Sequence, residues 1–262
     1  NEVAVAWENW GFKETYSLND EACVNIELDY QKLFNDLLPE QVKRYSAIPY
    51  VHTSPLSNWG KDSLYNHGSQ HYWGVWHGDD PLINFESKIG RFNAEYGFQS
   101  FPEFNTLSSF SDKVDWQLDS KVMKHHQKSY VGNGKIEAYA TELLGEIADF
   151  RHFVYYSQLT QAEGMRLAIS GHRIDSPRCG GTLYWQLNDC WPAPTWSGID
   201  YNGNWKALQY TAQKTMEDVA VLEKTNDSGG SDYYLVSDQI DTFYCSIQCK
   251  VFLLDGKEVM NV

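Results

Sequence analysis

Positive charge is scarce in this 262-residue chain: 21 Lys and Arg stand against 35 Asp and Glu, a formal net charge of −14. A surface this acidic is repelled by phosphate backbones and by anionic lipid headgroups, which sets aside nucleic acid and charged membrane surfaces as partners. A neutral substrate is compatible with any net charge. Long apolar runs are missing too. None approaches the roughly 20 residues of a membrane span; the opening residues carry no signal-peptide pattern, which means little in a chain that begins without Met. The chain opens Asn1-Glu2-Val3-Ala4-Val5-Ala6-Trp7 without an initiator Met, so it reads as cut from something longer. No Gly-rich dinucleotide fingerprint follows any strand-like segment. Cysteines in metal-type or redox pairs are also lacking: Cys23, Cys179, Cys190, Cys245 and Cys249 are scattered and odd in number, and all five read as structural. Cys245 and Cys249 share a face of an expected strand, too far apart there to bridge easily. The one His pair, His125–His126, lies in a Lys-containing stretch and points two ways on a helix, which reads as solvated. No metal site and no cofactor emerges. The sequon at Asn226 is a weak glycosylation signal.

What the chain has in quantity is aromatic surface, 15% of residues with 10 Trp and 17 Tyr. Aromatic faces stack on the C–H faces of sugars, although large enzymes bury many aromatics in any case. The hydrophobic fraction of 42% is enough for a substantial core and excludes disorder.

Up to about Met216 helix-like and strand-like segments alternate. Leu33, Phe34, Leu37 and Leu38 recur at helical spacing within a helix expected over Tyr30–Tyr45. Short strands are expected over Ala47–His52, His71–Trp76, Phe92–Tyr96 and Thr182–Leu187. A helix-rich stretch runs from Lys121 to Ser170, with Phe153, Tyr156, Leu159 and Leu167 on one buried face, and a closing helix covers Trp205–Met216. This alternation predicts a parallel sheet with helical crossovers, barrel or doubly wound; the missing fingerprint favours the barrel. After Asp218 the texture changes. Val219–Leu222, Tyr233–Val236 and Thr242–Leu254 are strand-like, with a turn at Asp255–Gly256, and read as the first strands of a β-sandwich.

Two segments carry the chemistry: Arg91-Phe-Asn-Ala-Glu-Tyr-Gly-Phe-Gln-Ser-Phe-Pro, and Gly181-Thr-Leu-Tyr-Trp-Gln-Leu-Asn-Asp-Cys-Trp-Pro. With the opening Asn1-Glu2 and the later Gly198-Ile-Asp-Tyr-Asn-Gly-Asn-Trp-Lys-Ala-Leu, the chain resembles the β-mannosidases of glycoside hydrolase family 2 over roughly residues 1–216, and more weakly beyond. The resemblance implies the C-terminal half of a (β/α)₈ TIM barrel over 1–216 and the start of an immunoglobulin-like β-sandwich over 217–262. It implies that Glu2 is the acid/base and Glu95 the nucleophile. The strand pattern agrees independently for Glu95, which sits near the end of a short strand, where barrel enzymes place catalytic groups.

Cleaving a glycosidic bond builds positive charge at the anomeric carbon and negative charge on the leaving oxygen. Retaining enzymes therefore use two carboxyls about 5–5.5 Å apart, one attacking the sugar and one relaying the proton. Their pKa values must differ. Their separation of 93 positions (95 − 2) leaves room for three βα units at about 30 residues each. An arbitrary Glu in an acidic protein is a solvated surface group; the sequence flanking Glu95 reverses that reading.

The resemblance makes Trp185 the hydrophobic floor under the sugar, against the alternative of a core Trp. Asn1 would bond the sugar 2-hydroxyl. Trp73 and His77 follow the aromatic strand as candidate sugar contacts, His77 being equally readable as a structural histidine. His71 and Tyr72 are expected to point into the barrel interior or the helix layer. Trp7 and Trp10, in an expected loop after Glu2, would wall the site. Asp189 and Asp200 read as loop-structuring carboxylates.

The expected function is exo-hydrolysis of terminal β-mannose with retention, acting on oligosaccharides or glycans. The alternatives are another exo-β-glycosidase of the same family (galactosidase, glucuronidase or glucosaminidase) and a carbohydrate-binding fragment without activity. Periplasmic, extracellular or lysosomal placement is favoured for such enzymes. With half of a barrel expected upstream, residues 1–262 alone are expected to be inactive; either they belong to a larger folded chain or they hide their open surfaces by self-association.

Overall fold

The computed structural model describes residues 2–59 and 65–261. The chain starts with helix α1 (Val3–Glu8), where the sequence suggested a loop, and the four-residue α2 (Phe12–Thr15). Helix α3 (Asp20–Tyr30) follows, ten residues earlier than periodicity predicted. Asn19 caps it by accepting from the Ala22 N–H at 2.8 Å, and Asp20 and Glu21 favour the positive end of its dipole. The helix widens into a π-turn over Gln31–Leu37 and resumes as α4 (Leu38–Tyr45). Pro39, in the first turn of α4, has no N–H to donate backward, and the widened turn just ahead of it accommodates that missing bond.

Three short parallel strands come next: β1 (Ser57–Asn58), β2 (Ser69–Tyr72) and β3 (Phe92–Tyr96), side by side in chain order. The expected strand over 47–52 is absent. Ile48 and Val51 are exposed there, and the Ile48 N–H turns back to the Ser46 hydroxyl at 3.1 Å, a local bond that competes with strand pairing. The segment after Gly181 continues the sheet. The Asn93 N–H donates to the Gly181 carbonyl at 2.9 Å, Leu183 to Asn93 at 2.8 Å and Trp185 to Tyr96 at 2.9 Å, so parallel pairing ends at Trp185 instead of Leu187.

Between β3 and this segment lie α5 (Phe104–Leu107), α6 (Lys121–His126), α7 (Asn133–Leu144) and the 25-residue α8 (Phe150–Ile174). Helix α8 is capped by Asp149 and buries Phe153, Ser157, Gln161, Met165 and Ile169 at four-residue spacing. Of the predicted face, Phe153 and Leu167 are buried, while Tyr156 and Leu159 sit on its shoulders. Gly171 lets α8 reach the Leu82–Glu86 turn, where a Cβ would lie 2.7 Å from the Glu86 carbonyl oxygen. Helix α9 (Ala207–Thr215) packs on α8. The core between helices and strands includes Trp76, Phe85, Tyr96, Phe98, Phe101 and Leu208.

The change of texture after Asp218 coincides with a change of structure. Strands β4 (Val219–Thr225) and β5 (Ser231–Ser237) form an antiparallel hairpin, and β6 (Lys250–Phe252) and β7 (Glu258–Asn261) form a second around Asp255–Gly256. Residues 242–249, expected as strand, are irregular, so Cys245 and Cys249 are exposed loop residues. Arg173 ties the first hairpin to the helices. It donates to the Thr215 carbonyl at 2.5 Å and the Glu217 carbonyl at 2.8 Å, and pairs with Asp238 at 2.8 Å.

Phe101 is fully buried and meets Phe150 and Phe153 edge-on. In the full-length protein that carries this chain, Phe101→Ala is expected to destabilise this region by about 3–5 kcal/mol. A urea titration should show an earlier midpoint with the slope unchanged.

Candidate active site

Glu95 owes its direction to an irregularity in the β2–β3 ladder. Gln70 stands opposite Asn93, but His71 stands opposite Glu95, so β3 carries one extra residue at Ala94. Strict alternation would put Asn93 and Tyr96 on opposite faces. The bulge instead lets both face the helices. Asn93 donates to Cys179 Sγ at 3.2 Å, and Tyr96 packs against Phe85 and His172. Glu95 is left on the inner side, facing His71. Tyr72, the next residue of β2, points to the helix layer, where its hydroxyl donates to Asp80 at 2.7 Å.

Glu2, immediately ahead of α1, approaches the same point. His71 Nδ1 lies 2.9 Å from Glu2 Oε1 and 3.3 Å from Glu95 Oε2. One carboxylate oxygen from each Glu and the imidazole nitrogen all lie within 4.8 Å of one another. The other imidazole nitrogen, Nε2, is 3.2 Å from the Ser54 hydroxyl. An imidazole that donates from Nδ1 to a carboxylate and accepts at Nε2 from a serine is neutral with a fixed tautomer. Three such atoms could also hold a divalent cation, one His and two carboxylates being a known ligand set.

Around the carboxyls lies a cavity of about 290 Å³ with aromatic walls. Trp73 gives its indole N–H to Glu95 and stands edge-on to His77 and Trp196, with ring centroids 5.4 and 5.9 Å away. His77 stacks on Tyr130, and its Nδ1 is 3.0 Å from the Tyr130 hydroxyl. Trp185 is 42% exposed and lines the cavity, so it is not a core residue. Its approach depends on Gly97: a Cβ there would lie 2.3 Å from the Trp185 carbonyl oxygen. Trp10 and Asn9 close the side beyond α1, and the Asn58 side chain, at the end of β1, hydrogen-bonds that of Asn9.

The loop from Trp185 to Trp196 is held from below. Buried Asp189 accepts from Thr195 at 2.5 Å, Ser197 at 2.8 Å and Gln186 at 3.3 Å. Buried Asp200 accepts from Thr106 at 2.7 Å and from the Asn204 N–H at 2.9 Å. Both are loop-structuring groups, as expected. Lys206, also fully buried, donates to the Thr195 carbonyl at 3.1 Å; burial pulls its pKa down to about 8 while Asp189 and Asp200 resist.

Thus Glu2, Glu95, Trp73, His77, Trp185 and Trp10 line one cavity, while Asn1 lies outside the described residues. His71, Trp59, Tyr130 and Trp196 join them without having been singled out as site residues. His126 departs from its solvated reading. It is sandwiched between Phe110 and Trp191, at 3.9 and 4.7 Å, with Nδ1 2.6 Å from the Pro192 carbonyl oxygen.

Burial and the nearby Glu2 push the Glu95 carboxyl up to about 7, against the opposing pull of the Trp73 N–H. Burial also raises Glu2 and lowers His71 to about 4. The two carboxyls titrate as a pair and hold a proton where isolated acids would not. Glu95, protonated longer in the folded than in the unfolded chain, contributes stability below pH 4.5 that is lost as pH rises to about 7. His71 has the opposite sign: its contribution is present above pH 6.5 and lost as pH falls to about 4. Glu95→Gln mimics the protonated acid. It should therefore stabilise the full-length protein by about 1–3 kcal/mol at pH 8 and by little at pH 4.5, read as the shift of the urea unfolding midpoint at the two pH values.

No family model matches the chain. Among curated proteins it is 34% identical over 218 residues to β-mannosidase B of Aspergillus terreus, covering 79% of this chain and 26% of that protein. It is 33% identical over 230 residues to β-mannosidase B of Aspergillus niger, covering 84% of this chain and 27% of that one. The chain thus spans about a quarter of the length of the curated relatives it matches. The crystal structure of the β-D-mannosidase of Dictyoglomus thermophilum superposes with a TM-score of 0.76 at 27% identity, covering 88% of this chain and 29% of that one. The exo-chitosanase of Amycolatopsis orientalis, at 20% identity and a TM-score of 0.55 over 70% of this chain and 24% of that one, shares the fold. Over most of its length the chain is a homologue of the β-mannosidases of glycoside hydrolase family 2.

Proposed function

We infer that this chain carries the catalytic centre of a retaining exo-β-mannosidase, with Glu95 as nucleophile and Glu2 as acid/base. The observation that carries the reading is the separation of the two carboxyls. One oxygen of each lies within 4.8 Å of the other, and both bracket one imidazole nitrogen, at 2.9 and 3.3 Å, the close placement that direct attack with retention calls for. Residues 1–216 are then the second half of a (β/α)₈ barrel, with β3 supplying Glu95 at its C-terminal end, and residues 217–262 begin an immunoglobulin-like sandwich.

In the first step a Glu95 oxygen bonds to the anomeric carbon as the bond to the leaving oxygen breaks, and Glu2 transfers its proton to that oxygen. In the second, Glu2 takes a proton from water, whose oxygen bonds to the anomeric carbon while the bond to Glu95 breaks. The Trp73 N–H favours the ionised Glu95 without overcoming the burial and the neighbouring Glu2 that push it up to about 7; the positive charge developing on the sugar favours the ionised form further. His71, neutral and bonded to Ser54, offers one N–H between the two acids. Trp185 and Trp73 supply apolar faces for the glycone, which is an end-residue of an oligosaccharide or glycan. Mannose is the sugar supported by the relatives' names; another family 2 exo-β-glycosidase activity would keep the same carboxyls.

Four measurements on the full-length protein test this. A 2-fluoro-mannosyl inactivator should attach to Glu95, and labelling of another carboxylate would sink the assignment. Glu2→Ala should slow substrates with poor leaving groups by about 10²–10⁴-fold, and activated aryl mannosides far less, with azide restoring part of the second step. Aryl β-mannoside should be turned over faster than aryl β-galactoside, and dialysis against a chelator should leave the rate unchanged. Chelator-sensitive turnover would instead make Glu2, His71 and Glu95 a metal site.

A further inference from the structure

Lys206, the residue just ahead of α9, is buried completely. Taking an ammonium out of water is costly, and Asp189, Asp200 and Glu103 favour its charge against that cost. Its Nζ donates to the Thr195 carbonyl at 3.1 Å, one residue from Trp196 in the cavity wall. The same carbonyl accepts from the Ser100 N–H at 3.0 Å, in the stretch that continues β3 beyond Glu95. At the other end of the loop Gln186, next to Trp185, donates its N–H to the Trp196 carbonyl at 3.2 Å. Asp189 closes the frame, accepting from Thr195, Ser197 and Gln186.

Trp185 and Trp196 therefore stand on one hydrogen-bonded frame, tied to the nucleophile's strand at Ser100 and to the interior at Lys206. The fit leaves little slack: a Cβ on Gly97 would lie 2.3 Å from the Trp185 carbonyl oxygen and 3.1 Å from the Trp196 ring. We propose that Lys206 is a positioning residue for the reaction, its ammonium fixing how far the Trp185 and Trp196 walls stand from Glu95 and so how closely the glycone is held in the reacting geometry. The inference rests on the reading of Glu95 as nucleophile and Trp185 as glycone wall. An ionisable tie lets go when its charge is lost. Burial lowers Lys206 to about 8, and the charged groups that act on it, Asp189, Asp200 and Glu103, are all carboxyls, which take up no proton as pH rises.

Two measurements on the full-length protein test this. In the first, the protein is labelled with 5-fluorotryptophan and the Trp185 fluorine resonance is assigned by its absence from Trp185→Phe. Glu95→Gln is the background, because it removes the carboxyl that titrates at about 7 in the same cavity. The Trp185 resonance should shift or broaden as the pH passes through about 8, and Lys206→Met should abolish that transition. A resonance that stays constant through that pH overturns the proposal, whether or not any Lys206 variant folds. In the second, kcat and KM are measured on whichever of aryl β-mannoside, β-galactoside and β-glucoside is turned over fastest. Lys206→Met, its folding established by circular dichroism, should lower kcat and kcat/KM together by about tenfold or more and leave KM nearly unchanged. With Trp185→Ala already in place the same substitution should cost about twofold or less, because residues that act through one element are not additive. Lys206→Gln, which keeps an N–H donor, replaces Lys206→Met if that variant does not fold. An equal loss in both backgrounds overturns the proposal. A protein that turns over none of the three glycosides removes the glycosidase reading, while the fluorine titration still decides whether Lys206 holds the wall.

Discussion

Two acids that line one cavity meet one buried imidazole, and the cost of holding the three together governs what surrounds them. Carboxyls this close repel when both ionise, and walls of indole deprive each charge of water. Burial pushes both acids up and the imidazole down, so that a shared proton and a neutral His71 are the stable state. The fold does not relieve this strain by exposure: the Glu95 side chain is only 22% accessible and that of His71 4%. It relieves it through specific donors, the Trp73 N–H on Glu95 and the His71 N–H between the acids. The bulge at Ala94 makes this possible, because a regular ladder would turn Glu95 away from His71.

The remaining cavity wall is anchored by polar groups that are themselves buried. The loop bearing Trp185 and Trp196 has little regular structure, so its shape depends on Asp189, Gln161 and Lys206 beneath it. Gln161 of α8 donates to the Phe98 carbonyl at 2.8 Å and accepts from Ser100 at 2.7 Å, joining the helix to the stretch just after β3. Lys206 and Asp189 bring opposite charges into the same dry region. Each favours the charged form of the other, while Asp189 is held by its own hydrogen bonds from Thr195, Ser197 and Gln186. The two sequence segments around Trp185 and Asp200 therefore act as one unit, the first presenting the wall and the second filling the space behind it.

Much of this was legible where the determinant is local. The strand over Phe92–Tyr96, the helices after Lys121 and the Asp255–Gly256 turn each depend on a few adjacent residues, and they appear where periodicity and turn chemistry put them. Glu95 was legible for the same reason, as a carboxylate at the end of a short strand inside a distinctive segment. His71 was not, because its role depends on a register shift between two strands that no single window contains. Trp59, Tyr130 and Trp196 reach the cavity from segments separated by long stretches of chain, and one aromatic looks like another in a sequence so rich in them. The failed strand over 47–52 has the converse cause: its composition suits a sheet, but pairing requires a neighbour that the composition cannot supply. His126 was misread because its two stacking partners, Phe110 and Trp191, lie on either side of it in the chain at distances that periodicity does not connect.

The support of Glu95 matches the work proposed for it. Glu95 sits in a strand paired on both sides, through β2 and through the Gly181–Trp185 segment, so its position is set by backbone hydrogen bonds to two neighbours. A group that forms a bond to carbon needs such fixity, since misplacement by an ångström costs about 10²-fold in rate. Glu2 stands immediately ahead of α1 and lines the same cavity as Glu95. A proton relay must meet a leaving group in one step and water in the next, and a place on the cavity wall gives it both.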